Sequence, residues 1–127
     1  MIVGIGVDIT EVNRIERLYR KFGSRFYQRI LTENEIDQFY LRQNHPHFLA
    51  TRFAAKEAAA KALGTGFRQN IGFQCFEIQS DPSGQPKLML QGSAKALAQQ
   101  RLVSKTFLSI SDEKQYAVAM VILEAAN

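Results

Sequence analysis

Thirteen residues, Arg52-Phe53-Ala54-Ala55-Lys56-Glu57-Ala58-Ala59-Ala60-Lys61-Ala62-Leu63-Gly64, constrain this chain more than any other stretch. Seven of them are Ala or Gly and most of the rest are strong helix formers, so propensity alone predicts a helix. Four charges, Arg52, Lys56, Glu57 and Lys61, are set into it. At 3.6 residues per turn, Leu49, Phe53, Glu57, Ala60, Lys61 and Gly64 share one face. A carboxylate and an ammonium thus lie on the stripe expected to point inward. The flanking Ala residues would let a backbone or a bulky ligand approach closely. The pattern predicts a helix lining a polar, partly buried site. Read more simply, Glu57 and Lys61 form an i,i+4 pair worth about 0.2–0.5 kcal/mol.

The chain has 127 residues, consistent with one domain over 1–127. A domain of this size buries roughly two-thirds of its unfolded surface and needs no metal or disulfide to hold it together. Cys75 is the only cysteine, which excludes an internal disulfide and agrees with a reducing, cytoplasmic setting. With His45 and His47 the only histidines, a Cys/His zinc site cannot be assembled in one chain. The apolar run from Met1 to Val7 lacks a basic leader and falls far short of the roughly 20 residues that span a bilayer. No membrane association is expected. The net charge of +4 biases the protein toward anionic partners without choosing among nucleic acid, phosphate-bearing cofactor and acidic protein.

Ile2 to Ile9 alternates Gly or Asp with β-branched residues and reads as a strand, with Gly4 and Gly6 on one face permitting close packing. A helix follows from near Thr10, its apolar face marked by Val12, Ile15, Tyr19 and Phe22, and Gly23 is its expected stop. Phe26 to Leu31 adds a helical turn or two. Thr32-Glu33-Asn34-Glu35 is a capping box that starts another helix. Pro46 lies at the first turn of the long helix, expected over about 47–63 and stopped by Gly64-Thr65-Gly66. Strands are expected at Phe73–Gln79, Pro86–Leu90, Phe107–Ser111 and Tyr116–Leu123, with a short helix over Ser93–Arg101. These elements predict an α+β fold, a mostly antiparallel five-stranded sheet packed by helices.

Asp8 ends the first strand, and Asp8-Ile9-Thr10-Glu11 also fits a helix N-cap with Glu at N3. Alternatively Asp8 joins Glu57, since two carboxylates with water and substrate phosphates make the usual Mg²⁺ arrangement. Like charges held together call for a cation to offset their repulsion. Lys61, one turn beyond Glu57, would then reach a phosphate oxygen. Gly64-Thr65-Gly66 lacks Walker-loop spacing and sits at the wrong end of a helix dipole to attract an anion by itself. Arg14, Arg17 and Lys21 fall at i, i+3, i+7 on the first helix, opposite its apolar stripe. They form either a solvated face or a basic surface for an acidic helix or a phosphate backbone. Tyr19 and Phe22 belong to the apolar side, so no stacking platform for nucleic acid is evident.

Two segments taken together carry a resemblance. Gly4-Ile5-Gly6-Val7-Asp8-Ile9-Thr10-Glu11, followed some fifty residues on by Arg52 through Gly66, resembles the bacterial holo-acyl-carrier-protein synthases, the short class of phosphopantetheinyl transferases. Gly84-Gln85-Pro86 and the closing Leu108-Ser109-Ile110-Ser111-Asp112 and Tyr116-Ala117-Val118-Ala119 also match, so the likeness spans nearly the whole chain. It implies transfer of 4′-phosphopantetheine from coenzyme A to a serine of apo acyl carrier protein, with release of adenosine 3′,5′-bisphosphate. It implies Asp8 and Glu57 as Mg²⁺ ligands, and Lys61 as a phosphate contact and proton donor to the leaving group. Arg52, Gly64, Thr65 and Pro86 would lie along the coenzyme, and Arg14, Arg17 and Lys21 would face the acidic carrier. It further implies a homotrimer with sites between subunits. Many members have His where Asp112 stands, which leaves any role for an imidazole there in doubt. Two other readings stand beside it: a small basic nucleic-acid-binding module using the first helix, and a non-catalytic trimeric scaffold whose carboxylates act only as caps.

Overall fold

The structure is a computed structural model and describes residues 1–126. Its axis is helix α4 (His45–Leu63). Pro46 occupies the first turn, and the Asn44 side chain accepts from the His47 N–H. Gly64 closes the helix at φ 82°, a left-handed conformation that costs Gly little. Almost the whole circumference of α4 is buried, Arg52 and Lys56 included. The single inward stripe expected from Leu49 to Gly64 is therefore too narrow a description. An Ala-rich helix has no bulky face to hold neighbours away, so strands and helices close on it from all sides.

Strand β1 (Ile2–Glu11), α1 (Val12–Phe22), α2 (Ser24–Ile30) and α3 (Glu33–Leu41) precede α4. After a 3₁₀ turn at Phe73–Cys75 come β2 (Phe76–Ser80), β3 (Pro86–Leu90), α5 (Gly92–Gln100), β4 (Val103–Asp112) and β5 (Tyr116–Ala125). The expected α+β class and the antiparallel pairing hold. The five strands divide into a three-stranded sheet ordered β1-β5-β4 and a separate β2-β3 hairpin. The expected capping box at the start of α3 is formed, with the Thr32 hydroxyl accepting from the Glu35 N–H and the Glu35 carboxylate from the Thr32 N–H.

β1 lies directly on α4 because two of its residues have no side chain. A Cβ on Gly4 would collide with the Ala62 carbonyl, and one on Gly6 with the Ala58 carbonyl and the Ala62 amide nitrogen. Those groups are helix backbone and cannot swing aside. Gly6→Ala is therefore expected to cost about 1–3 kcal/mol or more by forcing strand and helix apart. Urea denaturation measures it, and a loss below about 0.5 kcal/mol, the scale of ordinary surface substitutions, contradicts the packing. The alternate residues Ile5, Val7 and Ile9 point to the opposite, exposed face of the sheet.

A second fastening is ionic. Lys56 and Glu35 are both fully buried, with Nζ 2.6 Å from Oε1. Nζ also donates to the Ile30 carbonyl at 2.7 Å, and the other Glu35 oxygen accepts from the Ile78 N–H at 2.7 Å. One ion pair thus joins α4 to the end of α2, the first turn of α3 and β2.

Candidate active site

Even-numbered residues of β1 face α4, so the pleat that places Gly4 and Gly6 against the helix also brings Asp8 to it. Asp8 lies inside the strand, which runs on to Glu11, so the N-cap alternative for Asp8 is not realised. Its Oδ2 accepts from the Thr10 hydroxyl at 2.7 Å, and Oδ1 lies 3.3 Å from Lys61 Nζ. Lys61 also donates to the Val7 carbonyl at 3.2 Å. Lys61 thus turns to Asp8, where a simple i,i+4 pair would have turned it to Glu57.

Glu57, half-buried on the same stripe of α4, has its pKa raised from the ordinary carboxylate value, first by desolvation and then by the Asp8 charge. Lys61 and Arg14 oppose that rise. Two acids and a lysine distant in sequence therefore share one electrostatic field. Asp8 and Glu57 suit a hard divalent cation: they offer carboxylate oxygens, and their mutual repulsion is what such an ion relieves. Among the described residues no group of three or more His, Cys, Asp or Glu is gathered. The protein would hold such an ion through two oxygens, leaving the other positions to water and phosphate, as Mg²⁺ prefers.

Two cavities lie one beyond the other on this side of α4, the nearer lined by Glu57. One of about 560 Å³ is lined by Glu57, Arg29, Phe67, Ile71, Phe73 and Gln74, among others. The other, of about 470 Å³, shares Arg29 and Phe73 with it and continues along Leu18, Phe22, Arg25, Phe26 and Phe53. Arg14 sits 5.7 Å over the Phe53 ring. An apolar groove with arginines on its walls therefore leads to Glu57. Arg17 pairs loosely with Glu11 at 3.8 Å and Lys21 lies over Phe22 at 5.3 Å, both in the open. Sequence reading found Arg14, Arg17 and Lys21 but missed Arg25 and Arg29. Those two lie beyond the Gly23 break, and only the turn into α2 brings them to the groove.

Gly64 is one turn beyond Lys61 at the end of α4. Thr65 is buried, and its hydroxyl donates to the Gly66 carbonyl at 2.8 Å. Arg52 and Pro86 lie elsewhere. Five residues before Glu57, Arg52 points about 140° away around the helix. With Pro86, Arg42, His47, Phe48, Asp112 and neighbours it lines a separate cavity of about 670 Å³. Burial lowers the Arg52 pKa, and its guanidinium rests 4.4 Å over the Phe48 ring. The cavity beside Glu57 and the cavity around Arg52 thus lie on different sides of α4.

A family model described as the 4′-phosphopantetheinyl transferase superfamily matches residues 4–121. A relative from Vibrio cholerae named holo-[acyl-carrier-protein] synthase is 52% identical over 124 residues, covering 98% of each chain. The crystal structure of holo-[acyl-carrier-protein] synthase from Neisseria meningitidis superposes with a TM-score of 0.92 at 41% identity, covering 98% of this chain and 99% of that one. A Bacillus anthracis holo-(acyl-carrier-protein) synthase, solved in complex with CoA (3′,5′-ADP), gives a TM-score of 0.82 at 41% identity and covers 99% of each. The chain belongs to the 4′-phosphopantetheinyl transferase superfamily, in its holo-[acyl-carrier-protein] synthase family. It is accordingly an enzyme, a transferase.

Proposed function

We propose that the chain, acting as one domain, transfers 4′-phosphopantetheine from coenzyme A to a serine hydroxyl of apo acyl carrier protein, with Mg²⁺, and releases adenosine 3′,5′-bisphosphate. The observation that carries this is the convergence of Asp8, Glu57 and Lys61 at the end of an apolar, arginine-walled groove. The Bacillus anthracis relative was solved with the coenzyme, which supports the donor.

In the reaction the serine oxygen attacks the phosphorus that carries the pantetheine. That P–O bond forms as the bridging bond of the pyrophosphate breaks, and the serine proton passes to a base. Glu57 or a water beside it takes that proton. A bound Mg²⁺ held by Asp8 and Glu57 would neutralise the pyrophosphate oxygens. Lys61 holds a phosphate oxygen and gives a proton to the departing bisphosphate. The carrier supplies the nucleophile, so the chemistry asks the chain for positioning and charge rather than a catalytic triad.

Arg14, Arg17 and Lys21, with Arg25 and Arg29, suit a carrier helix that is acidic on its rim and apolar at its centre. Replacing Arg14 and Arg17 by Ala is expected to raise the carrier's KM several-fold and flatten its salt dependence while coenzyme binding stays unchanged. Steady-state kinetics at two ionic strengths read this, and an unchanged KM removes α1 from the docking surface.

Because Arg52 and Pro86 lie across α4 from Glu57, a complete coenzyme site draws them from a second copy. Ile5, Val7, Ile9, Phe107 and Met120 make the outer sheet face apolar and exposed, a surface for neighbouring copies to cover. The assembly proposed here is a homotrimer with sites between subunits, as the family resemblance implies. No helix among the described residues is long and apolar enough to cross a membrane, and the cytoplasm, where coenzyme A and carrier proteins meet, is the proposed location.

The central test incubates the protein with coenzyme A, Mg²⁺ and apo carrier protein. The carrier should gain the mass of phosphopantetheine, and should gain nothing when Mg²⁺ is chelated. No gain with freshly assembled protein refutes the proposal. A nucleic-acid-binding module would instead bind DNA or RNA with steep salt dependence and no requirement for Mg²⁺ or coenzyme.

A further inference from the structure

Asp8 is held at both of its oxygens, and the two holders differ. Oδ1 lies 3.3 Å from Lys61 Nζ, and the Lys61 side chain is 53% exposed. Oδ2 accepts a 2.7 Å bond from the Thr10 hydroxyl, and Thr10 is only 2% exposed. Lysine reaches its partner on a flexible four-carbon stem, whereas threonine is branched at Cβ and stiff at χ1. Thr10 follows Asp8 by two residues on β1, so the pleat turns both side chains toward α4. Across the sheet Thr10 stands opposite Ala117 of β5, which is buried and has no polar side chain to compete for the hydroxyl. One oxygen of Asp8 is thus fixed from inside the fold, and the other is held loosely from outside.

That difference bears on the kind of ion the two acids can take. A hydroxyl has one hydrogen to donate, and here it goes to a carboxylate, which makes a strong, charge-assisted bond. The bond sets the plane of the Asp8 carboxylate and leaves Oδ1 as the oxygen turned to Lys61. A carboxylate fixed in this way suits Mg²⁺, whose shell is small and close to an ideal octahedron. Ca²⁺ takes more oxygens at longer distances, often both from one carboxylate, and its shell is forgiving in shape. A carboxylate free to turn would serve Ca²⁺ just as readily.

We propose that Thr10 is a positioning residue for Asp8, and that its hydroxyl makes the Asp8–Glu57 pair discriminate Mg²⁺ from Ca²⁺. This rests on the reading above that the two acids hold a divalent cation. Lys61 is the partner that gives way and turns to phosphate. Thr10 keeps its bond throughout.

Calorimetric titration of the assembled protein, saturated with coenzyme A and without carrier, with MgCl₂ and separately with CaCl₂ tests it. Thr10→Val keeps the branch and the volume and removes only the hydroxyl. It should bind Mg²⁺ about 10–100-fold more weakly than wild type, the usual loss when the outer partner of a metal ligand is removed. Ca²⁺ affinity should fall by less than about threefold, because its shell tolerates the freed carboxylate. Thr10→Ser restores the donor and should bring Mg²⁺ affinity back to within about fivefold of wild type. Thr10→Ala lacks both hydroxyl and branch, and should repeat the Val result should Val disturb the packing against Ala117. A purely structural role would lower stability in urea and leave the ratio of Mg²⁺ to Ca²⁺ affinity where it was. If the Val and Ala variants keep the wild-type ratio, or Ser fails to restore it, the proposal is overturned while the metal reading stands. If wild type binds neither cation with coenzyme present, both fall.

Discussion

Replacing Glu57 by Gln is expected to lower kcat roughly 10²–10³-fold, the scale on which single electrostatic contacts to a transition state are lost. The fold should not suffer. Desolvation and the Asp8 charge raise the Glu57 pKa in the folded protein. A carboxyl whose folded pKa exceeds its unfolded one holds its proton more tightly in the native state. Its ionisation therefore costs stability at pH above the folded pKa, and the cost disappears below the unfolded pKa. Gln carries no such cost. Without divalent cation, the Tm of Glu57→Gln at neutral pH should equal or exceed that of wild type, and the two should converge as pH falls toward 4. Adding Mg²⁺ with coenzyme A should raise the wild-type Tm and leave the variant's nearly unmoved. Carrier mass-shift kinetics and thermal scans across pH read both halves. Turnover within tenfold of wild type would remove Glu57 from the chemistry, and a variant less stable at neutral pH would contradict the electrostatics.

Lys56→Met is expected to have the largest effect on folding, a loss of about 3–5 kcal/mol. The ammonium donates to Glu35 and to the Ile30 carbonyl in a place with no solvent access. Burial pulls the Lys56 pKa down, and the Glu35 charge works against that pull. Met fills a similar volume, so little of the loss comes from packing. What remains is a carboxylate stranded in the interior. Adding Glu35→Gln removes the stranded charge, and the double variant should be more stable than the sum of the two single losses predicts. The amide still faces the N–H groups of Thr32 and Ile78, which only an acceptor satisfies, so recovery is partial. Urea denaturation of the four proteins completes the cycle. A Lys56→Met loss below about 1 kcal/mol would show the pair to be dispensable.

The two halves of the molecule differed in how plainly they could be read. Local signals carried far: the Thr32 capping box, the Gly64 stop and the alternation along Ile2 to Ile9 all depend on near neighbours in sequence, and all are found as expected. Asp8 and Glu57 were placed together because residue chemistry and kinship pointed the same way. What failed was anything decided by distant packing. Lys56 looked like one charge among four on a helix, because nothing near it in sequence announces Glu35. The strands were expected in one sheet, since pairing between β3 and β4 is not ruled out by either strand's pattern. Arg25 and Arg29 were passed over because their groove exists only once α1, α2 and α4 have met.

The seat of β1 on α4 has a last consequence. Were the strand to slide by one residue, Ile5 or Val7 would take the places of Gly4 and Gly6 against helix backbone that has no room for them. Missing side chains thus act as a ratchet, and the acid two residues beyond Gly6 arrives opposite its partner at only one setting. The register that sets Asp8 beside Lys61 is enforced by what the strand leaves out.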